Sequence, residues 1–160
     1  MTRDYRQHSE SDAAKAKMLL AEIAVLCSFI KRRKHLTLLA DRDIKVPVTE
    51  PERAFSESLQ TLKLLNARST LYVDGRLSML SGKAAATVFD FYKSVIEADL
   101  EHLTSIQVSL TNTECLRLSL NIVCHAELSA FANGKNIRYA ADEDEEYQHL
   151  ALFMEGDMQQ

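Results

Sequence analysis

Residues that specify turns are scarce in this chain of 160 residues, which has two Pro and four Gly. Its secondary-structure elements should therefore be long. Cysteine is also scarce. Cys27, Cys115 and Cys124 are odd in number and show no CxxC spacing, which argues against a disulfide framework or a zinc knuckle and for reduced thiols. Neither sign of charge dominates: 19 Lys and Arg stand against 23 Asp and Glu, for a net charge of −4. Such a balance lacks the electrostatic footprint of a nucleic-acid-binding protein. No long hydrophobic run is present. The polar start MTRDYRQHSESDAAKAK contains no signal-peptide core. The apolar run Met18–Ile30 is shorter than the ~20 residues that cross a bilayer, and it carries Glu22. A Ser/His/Asp arrangement, the Walker glycines and an HExxH helix are likewise missing.

What remains is an ordinary apolar fraction of 46% with 26% charged residues, enough for one globular core with a helical extension. Ser11–Ala40 reads as one long helix capped by Ser11 or Asp12. Leu19, Ile23, Leu26 and Ile30 form one apolar stripe, and Met18, Val25 and Phe29 form a second. A helix apolar around most of its girth must be covered on two sides, and dimerisation through a helical hairpin provides the cover. Asp41–Val48 is a break. Thr49 and Glu52, with Pro51 between them, form a capping box, and the second helix runs to about Ala67 with Phe55, Leu59, Leu62 and Leu65 on one side.

The pattern then changes period. Thr70–Val73 is a short strand closed by the Asp74–Gly75 turn signal. Ser81–Leu103 is a helix capped by Ser81, with Val88, Phe91, Val95 and Ala98 inward. Ile106, Val108 and Leu110 alternate, as do Leu116, Leu118, Leu120 and Ile122, and the short polar link between them predicts an antiparallel pair. Glu127–Phe131 is a short helix, and Ile137–Ala141 and Tyr147–Met154 are the last strands, flanking the acidic turn Asp142–Glu146. The expected class is α+β, one sheet with helices packed on one face.

The stretch Thr87–Leu110, TVFDFYKSVIEADLEHLTSIQVSL, together with Ala21–Asp41, Glu57–Asn66 and Leu116–Phe131, resembles the cytoplasmic end of bacterial sensor histidine kinases and their ATP-binding fold, shared with gyrase. The resemblance implies a long helix and a second helix forming a dimerisation hairpin, then an ATPase-like α/β sandwich with a mostly antiparallel sheet. It divides the chain into a disordered polar segment 1–10, a helical dimerisation region 11–67, a degenerate ATPase-like domain 68–155 and a tail 156–160. It also implies a homodimer, a response regulator as partner, a cytoplasmic location and, upstream, a membrane sensor region that this chain lacks.

In that family a Glu and an Asn four residues later hold Mg²⁺ and phosphate. The corresponding residues here are Lys93 and Glu97. Lys93 is a cation where Mg²⁺ needs oxygen; it serves as a point charge for phosphate or simply pairs with Glu97 at i,i+4. The family's DxGxG turn falls on Ile122, Cys124 and Ala126, and none matches. The expectation is a signalling module with lost or weakened ATP binding, so that no cofactor is needed, and ATP with Mg²⁺ enters only if the degenerate site still binds.

Phosphotransfer needs an exposed His with an acid to orient it. Among His8, His35, His102, His125 and His149, His35 lies on the first helix and is the phospho-acceptor candidate. Its sequence neighbours, Lys34 and Leu36, are not acidic, so a plain solvent-facing His is the competing reading. The basic cluster Lys31–Lys34 is either a solvated helix turn or a surface for a regulator's acidic pocket, nucleic acid or anionic lipid. No metal site is expected. A silent dimeric interaction module is the alternative function.

Overall fold

The computed structural model describes residues 2–42, 44–134, 136–143 and 146–154, with side chains from residue 10 onward. The tail at 156–160 lies outside the described residues. A first helix, α1, spans Thr2–Asp41. It begins well before the expected cap, because the chain has no Pro or Gly before Pro47 to stop it. Strand β1, Lys45–Pro47, pairs antiparallel with β3, Met79–Ser81, in a two-stranded ribbon that the sequence did not announce.

Helix α2 spans Thr49–Leu62 and continues as a 3₁₀ turn over Lys63–Leu65. The expected capping box does not form. Thr49 is already helical and Val48 is the N-cap, with no side-chain cap. The helix entry is held by backbone instead, Val48 N–H donating to Ser78 C=O at 2.9 Å. Asn66, at φ 60°, turns the chain into β2, Arg68–Val73; Asn tolerates this left-handed conformation well.

Helix α3 spans Gly82–Ala98, and Ser81 caps it as predicted, its Oγ accepting from Ala84 N–H. The helix ends short of Leu103 because Asp99 leaves helical geometry, and a 3₁₀ turn covers Leu100–His102. Strands β4, Ser105–Asn112, and β5, Leu116–Val123, form the predicted antiparallel pair. The helix expected at Glu127–Phe131 is only a 3₁₀ turn at Ser129–Phe131. Strands β6, Ile137–Ala141, and β7, Gln148–Met154, complete the fold. The five-stranded sheet has the order β2-β4-β5-β7-β6; β2 and β4 are parallel and every other neighbour pair is antiparallel.

Alternation along β4 and β5 sends Ile106, Val108, Leu110, Leu116, Leu118, Leu120 and Ile122 into one core with the three helices. At its centre the rings of Phe29, Phe55, Phe89 and Tyr92 meet, with centroids 5.0 to 6.1 Å apart. These rings come from α1, α2 and α3, so no packing break separates the helical region from the sheet. The other face of the sheet is polar and open.

The α1 helix buries the stripe Ala21, Val25, Phe29 and Leu36. The stripe Leu19, Ile23, Leu26 and Ile30 points away from the core, at 58%, 55%, 36% and 64% exposure. On α3 the inward residues are Ala84, Ala85, Val88, Phe89, Tyr92, Val95 and Ile96. Ala98 is exposed, contrary to expectation, because the buried face of α3 centres on Ala85, Phe89, Tyr92 and Ile96, to one side of the stripe Val88, Phe91, Val95 and Ala98.

Candidate functional site

His35 lies on the C-terminal half of α1, half exposed, with its Nε2 3.2 Å from Glu50 Oε2 at the start of α2. The acid that sequence reasoning sought beside the His is supplied from another helix. Glu50 stands fifteen residues away, so nothing in the local sequence pointed to it.

On the α3 side of the same stretch, a groove of about 400 Å³ is lined by Ile30, Arg33, Lys34, Thr37, Leu38 and Lys93. The fold thus brings the basic cluster and Lys93 together. Part of the cluster's charge is already countered: Arg32 pairs with Glu57, and Arg33 Nε lies 2.9 Å from Asp90 Oδ1. Lys31 and Lys34 remain exposed.

Lys93 Nζ sits 2.8 Å from Glu97 Oε1, an i,i+4 pair on α3. The carboxylate that was to hold a cation is therefore engaged by an amine, and these two residues do not fit a Mg²⁺ site. Ile122 is buried in the core. The segment after β5 is pinned by side chains of the protein itself. Asp99 Oδ2 accepts from the N–H groups of His125 and Ala126 at 2.8 and 2.7 Å. Gln148 accepts from Leu128 N–H and Tyr139 O–H, and donates to Ala126 C=O. Leu128 enters the core, and Phe131 packs edge-on against Phe91 of α3.

Burial disfavours ionisation of Asp99, but the N–H groups of Ala126 and His125 and a bond to His102 outweigh it and hold its pKa below the usual carboxylate range. The Asp99 carboxylate 2.7 Å from His102 Nδ1 raises the pKa of that imidazole in turn, and the rings of His102 and His125 stack at 4.1 Å. Asp99 was not singled out in the sequence. Its only local mark is its place just beyond an amphipathic helix. Burial pushes the Cys124 thiol up, which leaves it a poor nucleophile. Among the described residues no group of three or more His, Cys, Asp or Glu is placed to hold a metal ion, and no helix is long and apolar enough to cross a membrane.

A long helix, a second helix and a mixed, mostly antiparallel sheet with all helices on one face give this chain the fold of histidine-kinase ATPase domains. Similar solved structures include the Acinetobacter baumannii histidine kinase AdeS (TM-score 0.52, 9% identity, covering 89% of this chain and 83% of that one). The histidine kinase domain from the Erythrobacter litoralis EL346 blue-light activated histidine kinase is also similar (TM-score 0.53, 10% identity, covering 84% and 75%). So is a bacterial phosphotransferase (TM-score 0.51, 9% identity, covering 89% and 78%). No protein-family model matches the chain, and a search of curated proteins finds no match. At these identities the likeness is one of fold.

Proposed function

We propose that this protein is a two-component signalling module that carries a phosphoryl group on His35 without using ATP, acting in the cytoplasm as a homodimer with a response regulator as partner. The observation that carries this reading is the His35–Glu50 pair at 3.2 Å. With Nε2–H donated to Glu50, Nδ1 holds the lone pair and is the nucleophile. Nδ1 attacks the phosphorus of a receiver's aspartyl phosphate. The P–O bond to the receiver carboxylate breaks as the P–N bond forms, the carboxylate leaves, and Glu50 neutralises the cationic phosphoimidazole by holding or taking its Nε2 proton. The adjoining groove presents Lys34, whose unpaired charge among the described residues complements an acidic receiver pocket. The exposed stripe Leu19, Ile23, Leu26 and Ile30 supplies the dimer face.

Against use of ATP stand the Lys93–Glu97 pair, the absence of Asp and Gly at Ile122, Cys124 and Ala126, and the packing of Phe131 against Phe91 of α3. Calorimetry with millimolar ATP and Mg²⁺ should give no binding heat; a saturable heat would overturn the ATP-independent reading.

Incubation with a phosphorylated receiver domain should move label onto the protein. His35→Gln should abolish transfer, and Glu50→Gln should slow it about a hundredfold. Transfer that persists in His35→Gln removes His35 from the mechanism. A second reading, a silent dimeric interaction module, draws on the exposed α1 stripe alone, and it predicts regulator binding with no label transfer by the unaltered protein. Binding of nucleic acid or anionic membranes through Lys31–Lys34 is disfavoured by the pairing of Arg32 and Arg33, so binding to DNA or anionic vesicles should be weak and nearly independent of salt.

A further inference from the structure

We propose that the open face of the sheet carries an anion site, built by Arg117 and Arg138 around Phe153, that takes a small phosphomonoester. The site lies on the side of the sheet away from the helices and does not depend on the role of His35. Three strands build it. Arg117 of β5 stands directly opposite Phe153 of β7, and Arg138 of β6 stands opposite Ala151, two residues before Phe153. Opposed residues share a face, so all three side chains belong to the open one. The guanidinium carbons lie 5.1 and 4.8 Å from the centre of the same Phe153 ring, within cation–π reach. Two positive charges are thus gathered at one ring.

Neither has a counterion among the described residues. Arg32, Arg33 and Arg76 pair with Glu57, Asp90 and Asp74, whereas among the described residues no carboxylate pairs with Arg117 or Arg138. Among the described residues the Nε of Arg117, like that of Arg32, is sealed from water with no hydrogen-bond partner. Among the described residues the Arg117 Nη2 reaches His149 Nε2, at 3.5 Å. His149 Nδ1 is 2.6 Å from Asn121 Oδ1, so Nδ1 carries the proton and Nε2 is an acceptor. Burial and Arg117 lower the pKa of this imidazole; it offers Arg117 no negative charge.

The cavity beside these residues holds about 650 Å³ and is also lined by Thr113, Glu114 and Asn136, a size suited to a small organic molecule. A phosphate dianion matches two guanidinium forks in charge and in bidentate geometry. Exposed Glu114 sets the limit on size, since its carboxylate repels an extended polyanion running past the cavity.

Titrations of the full chain with glycerol 3-phosphate, inorganic phosphate and acetate, read by calorimetry and by amide shifts on β5–β7, test the site. Glycerol 3-phosphate should bind with one-to-one saturation, weaken with added salt and strengthen between pH 5 and 7 as the second phosphate proton leaves near a pKa of about 6. Arg117→Gln and Arg138→Gln should each weaken binding about tenfold or more, Arg138→Lys should not restore it, and Glu114→Gln should tighten it. Arg138 is exposed, so its variants test the site even if Arg117→Gln unfolds. Equal binding of acetate, undiminished binding in the double Arg variant, or tighter binding of a single-stranded oligonucleotide than of the monoester would each overturn the proposal.

Discussion

Tyr92 is wholly buried, yet its hydroxyl has a partner. Ser58 Oγ donates to Phe55 C=O at 2.9 Å and accepts from Tyr92 O–H at 2.8 Å. Burial pushes the Tyr92 pKa well above its usual value, so the ring stays neutral and donating. Tyr92→Phe should therefore cost about 1 kcal/mol, and Tyr92→Ala about 3–5 kcal/mol through the cavity left among four rings, both read by urea unfolding. Asp74 acts at the surface end of the sheet. Its carboxylate accepts from Arg76 Nε, Nη2 and N–H and from Asn112 N–H. The Arg76 side chain is the main cause that lowers its pKa to about 2. A folded-state pKa below the unfolded value of about 3.9 means stability that is present above pH 4 and lost as pH falls toward 2. Asp74→Asn should lower the unfolding midpoint at pH 7, and the gap from the unaltered protein should close between pH 4 and 2. A gap that persists at pH 2 would mean that packing, not charge, holds Asp74. The Asp74–Gly75 turn was legible in the sequence because its signal is local. The Tyr92–Ser58 bond spans 34 residues and left no local trace.

Among the elements, α3 shows both cases. Its N-cap at Ser81 was predictable from neighbouring residues alone, and Ser81→Ala should cost about 1 kcal/mol. The next residue carries a constraint from elsewhere in the chain. A Cβ on Gly82 would lie 2.7 Å from Leu39 C=O and 3.0 Å from Ala40 N, so α1 approaches here as closely as glycine allows. Gly82→Ala must push backbone against backbone, and a loss of about 1–3 kcal/mol is expected. Faster hydrogen exchange at the end of α1 should accompany it, and unchanged exchange there would refute the contact. The C-terminus of α3 fell short of its sequence reading for a similar reason. The pattern favoured helix to Leu103, but Asp99 leaves the helix to accept from the chain after β5. No helix propensity scale carries that distant demand.

At the scale of the molecule, one consequence is the uncovered face of α1. Contiguous exposed apolar surface of this kind marks an interaction site. Ile23→Glu and Ile30→Glu are expected to convert a dimer to a folded monomer, measured by light scattering with circular dichroism unchanged. A monomeric unaltered protein would refute the dimer outright. The sequence by itself determined the class of the fold. Alternation fixed β4 and β5, and the Ser81 cap fixed the start of α3. These features are local, and a periodic pattern reports them wherever the chain goes. The tertiary structure decided the rest. It chose Val25 and Phe29 over Leu19 and Ile23 for the core, because a ring cluster from α2 and α3 was there to receive them. It set Glu50 beside His35, packed Phe131 against Phe91 of α3, and left Arg117 and Arg138 together at Phe153. Each of these joins residues far apart in the chain. A pattern can state how much surface must be covered, but only the packed molecule determines by what.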